Sequence, residues 1–172
     1  SKQNNGVWIG PDITAAAIQA LSPVKNLPNV NDTLNKAKDY LHQKQQSDGG
    51  WKYMDAGLTN VPSTAWIMQA ITTFGENPIN WENNGKNPND YLNSQQDNDG
   101  GIKPPPNSGS EKDTLDARIL ATAEAIPAGL NKSWSQILGS FNKPTPSPIN
   151  PGPGPSYTTT TFPIATTTLE IA

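Results

Sequence analysis

Apolar positions recur along residues 1–142 with the period of a helix. Ile13, Ala16, Ala17, Ala20 and Leu21 stand at i, i+3, i+4, i+7 and i+8, which is one stripe on a 3.6-residue turn. Ile67, Ala70, Ile71 and Phe74 form a second stripe, and Leu34, Ala37 and Leu41 a narrower one. Asn31 or Asp32 is placed to cap the helix that carries Leu34. Asn87-Pro88 is a clearer start, a capping residue followed by proline at the first helical position. The stretches Asp48-Gly49-Gly50 and Asp99-Gly100-Gly101 read as helix stops, because glycine takes left-handed dihedrals without steric cost. The pattern predicts helices over 12–22, 32–46, 63–75, 88–96, 113–126 and 133–141, Gly-Gly turns between them, and no strand before residue 150.

Two sets of segments recur. Asp39-Tyr40-Leu41, Gln45 and Asp48-Gly49-Gly50 reappear as Asp90-Tyr91-Leu92, Gln96 and Asp99-Gly100-Gly101, each 51 residues on (39 to 90, 45 to 96, 48 to 99). Thr14–Leu21 lines up with Thr64–Ile71, and Asp116–Ala123 is a looser third copy. Fixed-period similarity of this kind points to helical-hairpin repeats.

The apolar fraction of 33% is low for a globular chain even with 14 glycines added, and many of the 17 prolines sit in one stretch. Residues 143–156 carry proline at every second or third position, so they read as an extended linker. Residues 157–172 are threonine-rich, with Phe162/Ile164 and Leu169/Ile171 at period two, either a tail or the start of a β module. The chain therefore divides into a helical domain 1–142, a linker 143–156 and the segment 157–172.

Net charge is −3 with no basic run, which argues against nucleic acid as partner. Without cysteine there is no disulfide, no thiolate zinc site and no cysteine nucleophile. No apolar run is long enough for a transmembrane segment.

Gln45-Gln46-Ser47-Asp48-Gly49-Gly50-Trp51, following a Tyr-Leu helix, resembles the repeat signature of the squalene-cyclase and protein-prenyltransferase family. Gln96 to Gly101 is a second copy with Ile102 in place of tryptophan, and Gly6-Val7-Trp8 looks like the end of an earlier one. Ser1 is accordingly read as a processing or cloning boundary. The resemblance covers residues 6–141 and implies an all-α fold, a partial α/α toroid of about three hairpins. It implies a structural role for Gln45, Asp48, Gly49, Gly50, Trp51, Gln96, Asp99, Gly100 and Gly101. It also implies that the family's catalysis is missing. Asp97-Asn98-Asp99-Gly100 lacks the last carboxylate of the cyclase acid motif, and the prenyltransferase zinc site needs a cysteine. No cofactor is expected.

Asp97 and Asp99 do not fit an EF-hand loop, because Gln95 and Pro106 stand where its first and last ligands belong. His42 reads as a solvent-facing helix residue. Glu111, Asp113 and Asp116 suit a helix N-terminus, or else an acid/base pair at the mouth of an α/α barrel. The five tryptophans read as core, except Trp66, aligned with Ala16 and Arg118 at a position that does not demand bulk. Trp66, Asp113, Asp116 and Arg118 are thus the candidate ligand-binding residues. Asn31-Asp32-Thr33 and Asn131-Lys132-Ser133 are glycosylation sequons. The leading expectation is a non-catalytic extracellular or cell-surface module for binding or display. Neighbouring domains or a second copy would cover its open edges. The alternatives are a ligand carrier resembling the cobalamin-binding toroids and a polysaccharide-active enzyme using carboxylates near Asp113.

Overall fold

Prolines and asparagines mark where the helices begin. In the computed structural model, which describes residues 10–53, 57–103 and 111–139, helices hold most of the described residues. They are α1 (Pro11–Leu21), α2 (Val30–Lys44), α3 (Val61–Thr73), α4 (Pro88–Gln95), α5 (Glu111–Gly129) and α6 (Trp134–Leu138). The linker 143–156, the segment 157–172 and the Gly6-Val7-Trp8 motif lie outside the described residues.

The largely helical reading holds, with one small sheet that it did not foresee. β1 (Trp51–Lys52) pairs antiparallel with β2 (Thr59–Asn60), Trp51 opposite Asn60. Two residues per strand are too few to show a period of two. Asn60 then caps α3, its Oδ1 accepting from Ser63 N at 2.9 Å. Asn87 does the same for α4 within a reciprocal box: its Oδ1 accepts from Asp90 N, and Asp90 Oδ2 accepts from Asn87 N at 3.0 Å. The expected cap of α2 is corrected. That helix starts earlier, at Asn29 with φ +63° and no side-chain cap bond. Asn31 and Asp32 lie within its first turn, where Asp32 pairs with Lys36 at 2.7 Å.

α3 packs against α1 on one side and α5 on the other. Its Ile67, Ala70 and Ile71 join Ala15, Ile18, Leu34, Ala37, Leu41, Trp51 and Trp81 in one core. Its Val61, Ala65 and Met68 join Tyr91, Leu92, Ile102 and Ala121 in a second. α1 buries Pro11, Thr14, Ala15 and Ile18, whereas Ile13 is exposed. The stripe from Ile13 to Leu21 is therefore not the face that meets α3; this alanine-rich helix is apolar on two sides.

The glycines do not stop the helices. α2 ends at Lys44 because Gln45 turns extended, φ −62° and ψ 132°, and Gln96 does the same after α4. Three of the four carbonyls left over at the end of α2 then find partners. Leu41 O accepts from Trp51 Nε1 at 2.7 Å, His42 O from Gln45 N at 3.4 Å, and Lys44 O from Gln46 Nε2 at 2.7 Å. Gly49, at φ +92°, closes the turn where a Cβ would overlap the Asn87 carbonyl.

The two turns share their hydrogen bonds. Gln45 Nε2 donates to Gly49 O (3.0 Å) and Gln96 Nε2 to Gly100 O (2.9 Å). Asp48 Oδ1 accepts from Gly50 N and Asp99 Oδ1 from Gly101 N, both at 3.1 Å. Trp51 N donates to Thr64 Oγ1 (3.0 Å) and Ile102 N to Thr122 Oγ1 (2.9 Å). Those threonines donate in turn to Asn60 O and Arg118 O, one helical turn back. Thr122 is thus the counterpart of Thr64, and the third copy is realigned by six residues: Trp66 corresponds to Glu124 and not to Arg118.

Candidate ligand-binding site

Of the residues singled out from the sequence, Trp66 and Arg118 lie in different places. Arg118, on α5, is bound into the second Gly-Gly turn, paired closely with Asp99 and at 3.6 Å with Asp97. That pairing holds the Asp99 carboxyl below the usual range, and it places a guanidinium where a cation on Asp97 and Asp99 would sit. Asp116 is exposed on α5, and Asp113 lies in its first turn. Trp66 belongs elsewhere.

Around Trp66, α1, α3, α5 and α6 meet. Its Nε1 donates to Glu124 Oε1 on α5 at 3.4 Å. Its ring lies 6.1 Å from that of Trp134, tilted by 42°. Trp134 N donates to Gln19 Oε1 on α1 at 3.1 Å, and Asp12, at the start of α1, is near enough to Glu124 to disturb its titration. Burial raises the Glu124 carboxyl, as does the Asp12 charge, while the Trp66 hydrogen bond pulls it down. Burial also raises Asp12, against two backbone hydrogen bonds. Asp12 Oδ1, Gln19 Nε2 and Glu124 Oε2 are buried without hydrogen-bond partners. Gln69 Nε2 and Oε1, in the core, are unpartnered as well. Native interiors leave few such atoms unmatched, and those of Asp12, Gln19 and Glu124 are the ones that lie beside the tryptophan pair.

Asp12, Gln19 and Glu124 were not candidates on sequence grounds, and the core reading of Trp134 is corrected, since its side chain is exposed. The signal that could have found Glu124 is the realigned third helix, which sets it at the position of Trp66. The site holds no group of three or more His, Cys, Asp or Glu that could bind a metal ion, nor does any other place among the described residues.

Other tryptophans are structural. Trp51 is fully buried and Trp81 nearly so. Trp81 stacks on His42 at 3.5 Å between ring centroids, leans on Trp51 at 6.2 Å, and donates through Nε1 to Glu76 Oε2 at 2.9 Å. His42 is exposed, as expected, but one ring face is covered by indole. Burial lowers its pKa, with Lys38 adding to the effect.

No helix among the described residues is long and apolar enough to cross a membrane. Compared with known proteins, the chain matches no family model, no curated protein and no solved structure.

Proposed function

We propose that this chain is a non-catalytic binding module: an open run of α/α-hairpin repeats, part of an α/α toroid, in an extracellular or cell-surface protein. The observation that carries the binding reading is the set of buried, unpartnered polar atoms of Asp12, Gln19 and Glu124 beside the Trp66–Trp134 pair. Each such atom costs about 1–3 kcal/mol, and a ligand that supplies partners removes that cost. Indole faces take up flat apolar surfaces such as the C–H face of a sugar ring. The open atoms are two carboxyl oxygens, which accept, and one amide nitrogen, which donates, a mixture that suits hydroxyl groups, which do both. An uncharged polyhydroxylated ligand of the saccharide class fits best. It reaches the site by displacing the Trp134 turn, a five-residue helix tied to α1 through Gln19.

The repeat reading is supported by the matched hydrogen bonds of the two Gly-Gly turns. The proline-rich residues 143–156 suit a tether to a further module.

Isothermal titration with neutral hexasaccharides (cello-, xylo- and chito-series) tests the binding reading. Saturable heat that disappears in Trp66→Ala is expected; no heat with any of the three would overturn the saccharide assignment. Cobalamin, the ligand of the carrier alternative, belongs in the same panel, read by absorbance after gel filtration. A polysaccharide-active enzyme is favoured by one observation, the charge of Asp12 acting on the half-buried Glu124. Release of reducing ends, lost in both Asp12→Asn and Glu124→Gln, would replace the non-catalytic reading.

A further inference from the structure

The first Gly-Gly turn is covered by residues 81–87, and the second has no such cover among the described residues. Trp81 O accepts from Gln45 Nε2 at 2.8 Å, Asn83 Nδ2 donates to Gln45 O at 2.7 Å, and Gly49 abuts Asn87. Fifty-one residues on, Leu92, Asn93, Gln96, Gly100 and Ile102 stand for Leu41, His42, Gln45, Gly49 and Trp51. These five, with α5 behind them, line a cavity of about 300 Å³ where the counterpart of Trp81 would be. A Cβ on Gly100, at φ +87°, would meet nothing within 4 Å, in contrast to Gly49. Gln96 Nε2 spends one hydrogen on Gly100 O, as Gln45 does on Gly49 O. Its other hydrogen, which in Gln45 goes to Trp81 O, has no acceptor among the described residues.

We propose that this cavity is a docking pocket for a tryptophan-bearing turn of a partner polypeptide, built like residues 78–87 of this chain. Leu92, Ile102 and Ala125 supply apolar walls for an indole, and Gln96 supplies a donor for the carbonyl of the same residue. The surface beside the cavity points the same way. Val61 and Met68 of α3 are buried in the core shared with α5, whereas their counterparts Ile119 and Ile126, 58 residues on, are exposed on α5. A partner seated in the cavity covers them as α5 covers α3. A second copy cannot offer its own Trp81, which is buried. The proposal stands independently of the saccharide reading, since it uses neither Trp66 nor Glu124.

Fluorescence anisotropy with a labelled synthetic peptide of residues 76–87 tests it against the full chain. Saturable binding is expected, and none with the same peptide carrying Trp81→Ala. Asn93→His restores the ring on which Trp81 stacks in the first copy, and should tighten binding about two- to tenfold. Gln96→Leu removes the open donor and should weaken it by a similar about two- to tenfold factor. Circular dichroism melts should match wild type for Asn93→His, since Asn93 is exposed, and fall only slightly for Gln96→Leu, which frees Gly100 O, an exposed carbonyl that water can take over. Absence of peptide binding to wild type and to Asn93→His overturns the proposal, as does binding indifferent to Trp81→Ala in the peptide. Markedly tighter binding after Phe141→Ala would assign the cavity to the chain's own segment and overturn it too.

Discussion

Replacing Trp51 removes two things at once, and they can be separated. Its side chain is fully buried against Trp81 and the α2–α3 core, so Trp51→Ala leaves a cavity at a cost of about 3–5 kcal/mol. It also strips Leu41 O of the Nε1 donor at 2.7 Å. That carbonyl is among the last four of α2, so no helical amide can take over, and leaving it bare adds about 1–3 kcal/mol. Trp51→Phe keeps most of the ring and loses only the donor and a small volume, and should cost about 1–3 kcal/mol. Folded domains rest on about 5–15 kcal/mol in all, so the alanine variant should lose about half or more of its stability and the phenylalanine variant a smaller part. Urea unfolding followed by far-ultraviolet circular dichroism reads both without relying on the tryptophan signal. Pairing Trp51→Phe with Trp81→Phe in a double-mutant cycle should show coupling of about 0.5–1.5 kcal/mol from the tilted rings. If Trp51→Ala lost less than about 1 kcal/mol, the account of Trp51 as a combined core filler and helix cap would be wrong.

Three further outcomes follow from the same geometry. Glu124 has its pKa raised from 4.5, so its share of stability is complete below that value and is lost as pH rises through the raised folded value. Glu124→Gln should therefore flatten the stability profile above about pH 4.5 and be more stable than wild type at pH 7; an unchanged slope would refute this. Gly49→Ala and Gly100→Ala both force a positive φ on alanine, but only the first also meets a backbone carbonyl, that of Asn87. Gly49→Ala should be the more damaging by about 1–3 kcal/mol in urea unfolding, and equal costs would argue against the close approach. Arg118→Ala breaks an exposed pair, so melting should barely change, while the Asp99 carboxyl should titrate higher than in wild type by carbon-13 NMR, the hydrogen bond from Gly101 N still holding it down in part.

Much of this was visible in the amino-acid pattern, for physical reasons that also explain what was not. Asn87-Pro88 sets a helix start by local chemistry alone, and the Leu34, Ala37, Leu41 stripe is narrow enough to name one buried face. The stripe of α1 misled because alanine makes both of its sides apolar, and only the arrival of α3 selects Ala15 and Ile18. The segment Asp116–Ala123 of α5 was misaligned because Thr122 follows Ile102 by 20 residues whereas Thr64 follows Trp51 by 13. A gapless comparison cannot see that difference, and with it went Glu124. Trp81 carries no local signal for its role, since its partner Gln45 lies 36 residues earlier. The Asp12–Trp66–Glu124 neighbourhood joins residues on three helices, and no spacing in the sequence records such a meeting.

The cover that residues 81–87 lay over Gln45 and Gly49 means that a boundary in the amino-acid pattern is not a boundary in the fold. The pattern suggests cutting after a Gly-Gly turn. A chain cut at Gly75, past the turn and past α3, would still leave one face of Trp51 and the ring of His42 open to water, because Trp81 is gone. Overlap of this kind works like roof tiling, in which each course is sealed by the lower edge of the next. The shortest span that keeps the first core covered runs from Pro11 through Asn87, which no count of 51-residue periods delivers, although it leaves the second core of α3 open. Fusions and chimaeras made at that staggered joint should keep their first core dry, and those made at the visible one should not.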